Sequence, residues 1–332
     1  MKIAIDAMGG DYAPKEIIKG TNLAIKEFED MEIILFGDES QINQYIEAND
    51  RYTIVHTDEV ITGDDEPVRS IRRKKKASMV LAAEAVKNKE ADVLISAGNT
   101  GALLACGLLK IGRIKHIDRP GLMPIIPTRS SKSPQFLLMD AGANADTKPI
   151  NLHQFAILAN FYAENVLEIK NPRVGLINNG EEASKGSELS KAAYELLVNE
   201  PSIHFIGNIE SDKLLDGVAD IVITDGFTGN AILKTSEGIA KVFMNEMEEA
   251  LLHSGILTKL GALLVKDSIK KRFSKFDDTK TGGAVLLGVK APVIKTHGSS
   301  KHTAIYNALK QAHKIVSTKA IDQAVSYFES LV

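Results

Sequence analysis

The sequence predicts an α/β protein with three layers, α/β/α, in which helices cover both faces of a mostly parallel sheet. Short β-branched runs alternate with longer stretches of helical periodicity for most of the 332 residues. Strands that are separated by helices of this size are typical of parallel sheets buried between helical layers. No repeat of fixed period appears, and the helical runs are too short and interrupted for a coiled coil.

The predicted elements follow one another in a regular order. Strands are expected at 1–5, 32–36, 53–56, 93–96, 136–140, 173–178, 204–207, 221–224, 281–289 and 292–295. Helices are expected at 14–28, 40–48, 77–87, 101–109, 151–162, 188–198, 230–252 and 302–331. The alternation predicts a single α/β/α domain over 1–332.

A helical insertion is expected at 244–276, where strand signals are missing. Within it, Ile256, Leu260, Leu263 and Leu264 are spaced i, i+4, i+7 and i+8 and therefore share one helix face. Lysines and an arginine border this stripe, as in a helix that lies in an anionic membrane interface. Packing in a dimer interface or beneath the α/β body explains the same periodicity.

The composition excludes several classes of protein. A formal net charge of −3, aromatic residues at 5% and the absence of Trp argue against binding of nucleic acid. One Cys excludes an internal disulfide framework and a Cys-based zinc site, and the eight His lack metal-ligand spacing. The chain shows neither a secretory signal nor eighteen consecutive apolar residues, so a cytoplasmic location is expected.

Five predicted strands end in small or polar residues, in the segments IAIDAMGG, LISAGNTGA, LLMDAGAN, GLINNGEE and IVITDGFTGN. In an open parallel sheet, the loops at the carboxyl ends of the strands gather along one edge and form the ligand crevice. Gly, Asn and Asp also make ordinary strand-to-helix turns, which accounts for any one loop. The five together indicate one crevice lined with glycines, amides, carboxylates and hydroxyls.

Two of these loops predict an anion site. Each joins a strand to a helix, where free backbone N–H groups bind anions and glycine permits close approach. The candidate donors are Asn99, Thr100, Gly101, Thr228, Gly229 and Asn230. Lys185 precedes another helix and either supplies charge to a phosphate or is a solvated loop lysine. The P-loop and dinucleotide motifs are both missing.

Candidates for covalent catalysis are poor. Cys106 lies in a helix that is apolar on nearly all sides, as a structural thiol would, and no G-x-S-x-G motif occurs. His297 precedes a helix start, and Asp6 and Asp11 are suited to accepting a proton, holding an ammonium or forming turns. The basic run 69–76, RSIRRKKK, is expected at a helix start, where cations are unfavourable, and therefore indicates an acidic partner or substrate.

Taken together, IAIDAMGGDYAP, EPVRSIRRKKKASM, ISAGNTGALLACG, RVGLINNGEEASKG, VITDGFTGNAILK and KAPVIKTHGSS resemble the PlsX-type acyl-ACP:phosphate acyltransferases. The resemblance implies transfer of a fatty acyl group from acyl carrier protein to inorganic phosphate, without metal or cofactor. It also implies a homodimer with a fold similar to isocitrate and isopropylmalate dehydrogenases. The acyl phosphate would feed a membrane-bound glycerol-3-phosphate acyltransferase in phospholipid synthesis, which favours peripheral membrane attachment through the 256–264 stripe.

Roles for individual residues follow from combining the motifs with this resemblance. Phosphate is its own nucleophile, which fits the lack of an activated Ser or Cys. Catalytic roles are assigned to Lys185, Asn230, Asp225 and His297. Substrate binding is assigned to Gly9, Gly10, Asn99, Thr100, Gly101, Thr228 and Gly229, and carrier-protein contact to Arg72, Arg73 and Lys74. The alternatives are a phosphotransacetylase using acyl-CoA, a dehydrogenase of the isopropylmalate type and a non-catalytic membrane scaffold for carrier protein.

Overall fold

Twelve strands in the described part of the chain form two sheets. A computed structural model describes residues 1–253, 255, 261 and 282–330. The large sheet has seven strands: β1 (Lys2–Asp6), β2 (Glu32–Gly37), β3 (Tyr52–His56), β4 (Val93–Ser96), β5 (Gly121–Met123), β11 (Ala284–Leu287) and β12 (Val293–Lys295). The small sheet has five: β6 (Ile125–Pro127), β7 (Gln135–Met139), β8 (Arg173–Asn178), β9 (His204–Glu210) and β10 (Ile221–Ile223).

Both sheets are mostly parallel. The large sheet has the order β3-β2-β1-β4-β12-β11-β5, and only β11 pairs antiparallel with its neighbours. The small sheet has the order β6-β7-β10-β8-β9, with β6 antiparallel to β7. The carboxyl ends of β1, β4 and β12 therefore lie at one edge of the large sheet, and those of β7, β10 and β8 at one edge of the small sheet. These two edges position the candidate site.

Helices cover both faces of each sheet. Their bounds are α1 (Lys15–Glu27), α2 (Glu39–Ile42), α3 (Pro67–Arg73), α4 (Ser78–Lys87), α5 (Thr100–Cys106), α6 (Pro149–Asn165), α7 (Glu188–Val198), α8 (Gly226–Leu252), α9 (His302–Ser317) and α10 (Ala320–Ser330). One core joins both sheets to α1, α6, α7, α9 and α10. Two smaller cores pack α4 and α5 on the large sheet and α8 on the small one. The three-layer α/β/α prediction is confirmed.

Most predicted elements appear within a few residues of their expected bounds, but two helices differ. The prediction of a helix at 40–48 is wrong beyond Ile42, where α2 ends. After that point the Asn22 side chain donates to the Tyr45 carbonyl and accepts from the Glu47 N–H. These bonds satisfy backbone groups that a longer helix would have paired internally. The helix expected at 302–331 is divided, because Lys319 adopts a left-handed φ of 52° between α9 and α10.

The predicted insertion begins inside α8, which extends to Leu252. The stripe residues Ile256, Leu260, Leu263 and Leu264 lie outside the described residues. Among the helices that the structure describes, none combines the length and the apolar character needed to cross a bilayer. The assignment of the whole chain to one domain stays a prediction.

Candidate active site

The loops after β1 and β4 touch at the edge of the large sheet. A Cβ added at Gly9 would overlap Asp6 Oδ2, and one added at Gly10, whose φ is +106°, would lie 2.9 Å from the Ala97 Cβ. Both positions thus require glycine for close approach. The Asp11 N–H donates to the Gly298 carbonyl at 2.8 Å, which attaches the loop after β12 to the same cluster.

Asp6 is the buried centre of this cluster. Its carboxylate accepts hydrogen bonds from the Ser78 and Ser96 hydroxyls, both at 2.6 Å, and from the Met8 N–H at 3.3 Å. Burial raises the pKa of Asp6, and the three hydrogen bonds and the charge of Lys295 oppose that increase. The Ser96 hydroxyl also accepts from the Gly98 N–H at 2.9 Å. Asp6 therefore fixes the loop that leads into α5.

Asn99 begins α5 and attaches a neighbouring loop to it. Its Oδ1 accepts from the Ala102 N–H at 3.0 Å, so it is the N-cap. Its Nδ2 lies 3.1 Å from each of three carbonyl oxygens, those of Thr62, Gly63 and Asp65. The Asn99 side chain is thus occupied by the protein. Next to it, Thr100 is exposed and Gly101 packs against Pro67.

The edge of the small sheet is built around a second buried carboxylate, Asp140, which directly follows β7. It accepts from the N–H groups of Leu122, Ala143 and Asn144 at 2.9, 3.0 and 2.7 Å, and from the Asn144 side chain at 2.9 Å. Burial raises its pKa, and these four hydrogen bonds oppose that increase. The bond from Leu122, which belongs to β5, joins the two sheets at this point.

Helix α8 begins against that carboxylate loop. Asp225 is its N-cap: Oδ1 accepts from the Thr228 N–H at 2.8 Å and Oδ2 from the Thr228 hydroxyl at 2.7 Å. A Cβ added at Gly229 would overlap the Asp140 carbonyl oxygen, so only glycine fits there. Asn230 is exposed beside Gly142, with its amide available to a ligand. The N–H groups of Gly226, Thr228 and Gly229 are all bonded within the protein, to the Asn144 carbonyl, the Asp225 carboxylate and the Asp225 carbonyl. The first turn of α8 therefore meets a ligand through the Asn230 amide side chain, and not through those backbone groups.

The Lys185 loop leaves the small sheet beside α8, because β8 and β10 are parallel neighbours. The Lys185 side chain is exposed, and its backbone N–H and carbonyl bond to Glu182 and Asn178. Ser187 caps α7 by accepting from the Ser190 N–H at 3.2 Å. The loop therefore holds its backbone in place and leaves the ammonium free to meet a ligand.

Of the remaining catalytic candidates, His297 is exposed and its Nδ1 lies 2.9 Å from the Ser299 hydroxyl. Cys106 is fully buried, and burial raises the pKa of its thiol to about 12, so it is an inert structural residue. Within the described residues, no group of three or more His, Cys, Asp or Glu side chains is arranged to hold a metal ion.

The basic run lies at the end of a helix, not at the expected start. Glu66 caps α3, whose last turn contains Arg72 and Arg73, so their charges complement the helix dipole. Lys74 is engaged internally: its ammonium bonds Asp65 at 2.6 Å and the Val60 carbonyl at 2.9 Å. Arg72 and Arg73 are exposed. The two arginines are therefore free for a partner, whereas Lys74 already has one.

Several residues at the two edges were not singled out by sequence reasoning. These are Ser78, Ser96, Asp140 and Lys295. In the segment LLMDAGAN, Asp140 follows an apolar strand run and precedes small residues, as Asp6 does in IAIDAMGG. This pattern at the end of a strand could have identified Asp140. Lys295 had no such signal, because the groups that surround it come from distant parts of the sequence.

The fold is similar to that of solved structures. A phosphotransacetylase from Streptococcus pyogenes matches with a TM-score of 0.61 at 18% identity, covering 97% of this chain and 94% of that one. A branched-chain phosphotransacylase from Enterococcus faecalis matches with a TM-score of 0.60 at 17% identity, covering 95% and 99%. At such identities the likeness shows the fold alone: this is an α/β/α protein with the same overall fold as these two enzymes.

Sequence comparison then defines the family. Residues 1–323 match the family described as "Fatty acid synthesis protein". The phosphate acyltransferase of Latilactobacillus sakei is 53% identical over 99% of this chain and 97% of its own length. That of Enterococcus faecalis is 54% identical over 99% of both. The chain therefore belongs to the phosphate acyltransferases of the fatty acid synthesis protein family and is an acyltransferase, which confirms the resemblance seen in the motifs.

Proposed function

We propose that this enzyme moves a long-chain fatty acyl group from acyl carrier protein to inorganic phosphate, using the first turn of α8 and the Lys185 loop. The observation that carries the proposal is the pairing, at neighbouring strand ends, of an Asp225-capped helix start with an unpaired exposed lysine. Together they supply the exposed Asn230 amide and the positive charge of Lys185. These groups are suited to binding phosphate. Because phosphate is itself the nucleophile, the reaction needs no nucleophile from the protein.

In the reaction, a phosphate oxygen attacks the thioester carbonyl carbon, the new C–O bond forms and the C–S bond breaks. The carrier leaves as a thiolate that takes up a proton. Lys185 holds the phosphate charge, and Asn230 donates to the oxyanion of the tetrahedral intermediate, a contribution typically worth 10²–10³-fold. Thr228, whose N–H and hydroxyl both donate to Asp225, and Gly229, which packs on the Asp140 carbonyl, hold the helix start that carries Asn230. Asp225 and His297 are the candidates for managing the proton.

The donor is proposed to dock on the basic face beside α3. A groove of about 400 Å³ is lined by Ile71, Arg72, Lys75, Lys87, Leu109 and Lys110. Leu109 is 50% exposed within this ring of positive charge. An acidic carrier protein with an apolar contact residue complements such a surface. Arg73 follows Arg72 in the chain and is also exposed, whereas the Lys74 ammonium is bonded to Asp65 and to the Val60 carbonyl.

Two further features of the proposal concern assembly and location. Ile239 and Val242 of α8 are 65% and 61% exposed, which supports a homodimer formed along this helix. The 256–264 stripe is proposed to attach the enzyme peripherally to anionic membrane on the cytoplasmic side, where a glycerol-3-phosphate acyltransferase would use the product. Sedimentation with anionic but not with neutral vesicles tests that attachment.

The assay that tests the function incubates the purified chain with phosphate and either palmitoyl carrier protein or palmitoyl-CoA, and measures acyl phosphate. We expect product with the carrier-bound donor. Arg72→Glu with Arg73→Glu should raise KM for the carrier-bound donor about tenfold and leave KM for palmitoyl-CoA unchanged, with the difference shrinking in high salt. Product with acyl-CoA alone would favour a phosphotransacetylase, and no product with either would favour a scaffold.

A further inference from the structure

Lys295 is a half-buried cation at the edge of the large sheet. Lys185, by contrast, lies in the loop that follows β8 of the small sheet. Lys295 ends β12, which lies between β4 and β11. Its ammonium donates to the Ala97 carbonyl at 3.2 Å and to the Thr296 carbonyl. An ammonium has three N–H donors, so the two carbonyls leave one for another acceptor.

Among the described residues, no carboxylate forms an ion pair with Lys295, because none lies within the 4.0 Å that would make one. The charged groups that act on it are Asp6 from β1, Asp11 from the following loop and Lys234 from α8. An unpaired cation in partly buried surroundings costs free energy, which a bound anion would recover.

The strand register relates Lys295 to the proposed phosphate site. Lys295 pairs with Ala284 of β11, the adjacent Val285 pairs with Met123 of β5, and Leu122 of β5 donates to Asp140, against which α8 begins. Lys234 acts on Lys295 from α8. It lies on α8, one turn beyond Asn230, and its charge is close enough to lower the pKa of Lys295. Burial is the larger cause, and together they bring that pKa to about 8, while Asp6 and Asp11 oppose the decrease. The Lys295 ammonium thus carries its charge near the start of α8 and stays mostly protonated at neutral pH.

We propose that Lys295 is a phosphate-binding residue of the acyl transfer, holding the attacking inorganic phosphate from the large-sheet side while Lys185 and Asn230 hold it from the small-sheet side. This inference rests on the proposed function. Two cations from different sheets would share the charge of one phosphate, and the free N–H of Lys295 would donate to a phosphate oxygen. The carbonyls of Ala97 and Thr296 fix the direction of that donor in advance.

The test compares Lys295→Met, which removes the charge, with Lys295→Arg, which keeps it, and with Lys290→Met as a matched control. Lys290 is exposed just before β12, so its replacement removes the same charge at the other end of the strand. With saturating palmitoyl carrier protein, Lys295→Met should raise KM for phosphate about 10- to 100-fold and leave KM for the donor unchanged. Lys295→Arg should recover part of the loss.

A binding readout separates this role from a structural one. Inorganic phosphate should raise the Tm of the wild-type enzyme and of Lys290→Met, because it binds only the folded protein, and should raise that of Lys295→Met far less. If Lys295 only ties two strand ends together, Lys295→Met will lower Tm without changing KM for phosphate. If it serves the oxyanion instead, kcat will fall with KM for phosphate unchanged. Either result overturns the inference, whereas an inactive wild-type enzyme would overturn the proposed function itself.

Discussion

The two sheet edges each contain a buried aspartate, and the two carboxylates are satisfied in different ways. Asp140 accepts three backbone N–H groups and one side-chain amide, all of them fixed by the fold. Asp6 accepts two serine hydroxyls, which can rotate, and one long backbone hydrogen bond from Met8, and it lies near the ammonium of Lys295. The small-sheet edge is therefore a rigid backbone frame, and the large-sheet edge is a network of side chains around a cation.

The largest expected effect tests the rigid frame. Asp140→Ala would leave the N–H groups of Leu122, Ala143 and Asn144 buried without an acceptor, which should lower the free energy of unfolding by about 3 to 5 kcal/mol. Urea unfolding followed by circular dichroism measures it. Asp146→Ala, on an exposed residue of the same loop, should change it by less than about 0.5 kcal/mol. A loss for Asp140→Ala no larger than that of the control would contradict the frame.

The second prediction concerns Lys185 and Asn230, the exposed side chains at the small-sheet edge, which should affect turnover and not stability. Lys185→Ala and Asn230→Ala should each lower kcat about 10²-fold, because each removes one donor to the phosphate or the oxyanion. Tm should barely change, since both side chains are exposed. Lys191→Ala, on the exposed face of the adjacent α7, is the control and should keep full turnover. Near-normal kcat in both variants would disprove these roles.

The smallest effect concerns the network around the cation. Asp6→Asn should cost only about 1 to 2 kcal/mol of stability, because the Ser78 and Ser96 hydroxyls can turn to accept from the new amide. The negative charge of Asp6 raises the pKa of Lys295, so the Asp6→Asn substitution should lower the pKa of Lys295 below about 8. Lys295 is cationic below its pKa and neutral above it.

The wild-type kcat/KM for phosphate should therefore fall as pH rises through about 8, and in Asp6→Asn the fall should begin at lower pH. Asp11→Asn should move it less, because the charge of Asp11 has a smaller influence on Lys295 than that of Asp6. A pH profile that is identical in Asp6→Asn and in wild type would contradict the influence of Asp6 on the charge of Lys295 at the large-sheet edge.

The sequence revealed the strands because buried parallel strands are continuous apolar runs, as in β1 and β4. It did not reveal β5 and β6, three-residue strands that contain Gly121 and Pro127, because glycine and proline weaken a strand signal. Helix α3 was also missed, although Glu66 followed by Pro67 is a start signal. Local pattern therefore predicted most elements, including the three-residue β10 and β12, and missed β5, β6, α3 and the break between α9 and α10.

The candidate site divides in a similar manner. Gly229 and Asn230 are recognisable because a strand-to-helix turn with glycine is a local motif. Lys295 is not, because its contact with Ala97 joins residues that are 198 positions apart in the chain. The same limit applies to Asn99, whose three carbonyl partners belong to a loop more than thirty residues earlier. Tertiary contacts of this kind leave no periodic signal in the sequence.

The direct backbone contact between Gly229 and Asp140 limits how this enzyme can change. Because any side chain at position 229 would occupy the space of the Asp140 carbonyl, α8 and the end of β7 have to keep one fixed separation. In a saturation library, position 229 should therefore yield glycine alone among active clones. Sequences selected for new acyl chains or donors should therefore diverge at positions away from this backbone contact.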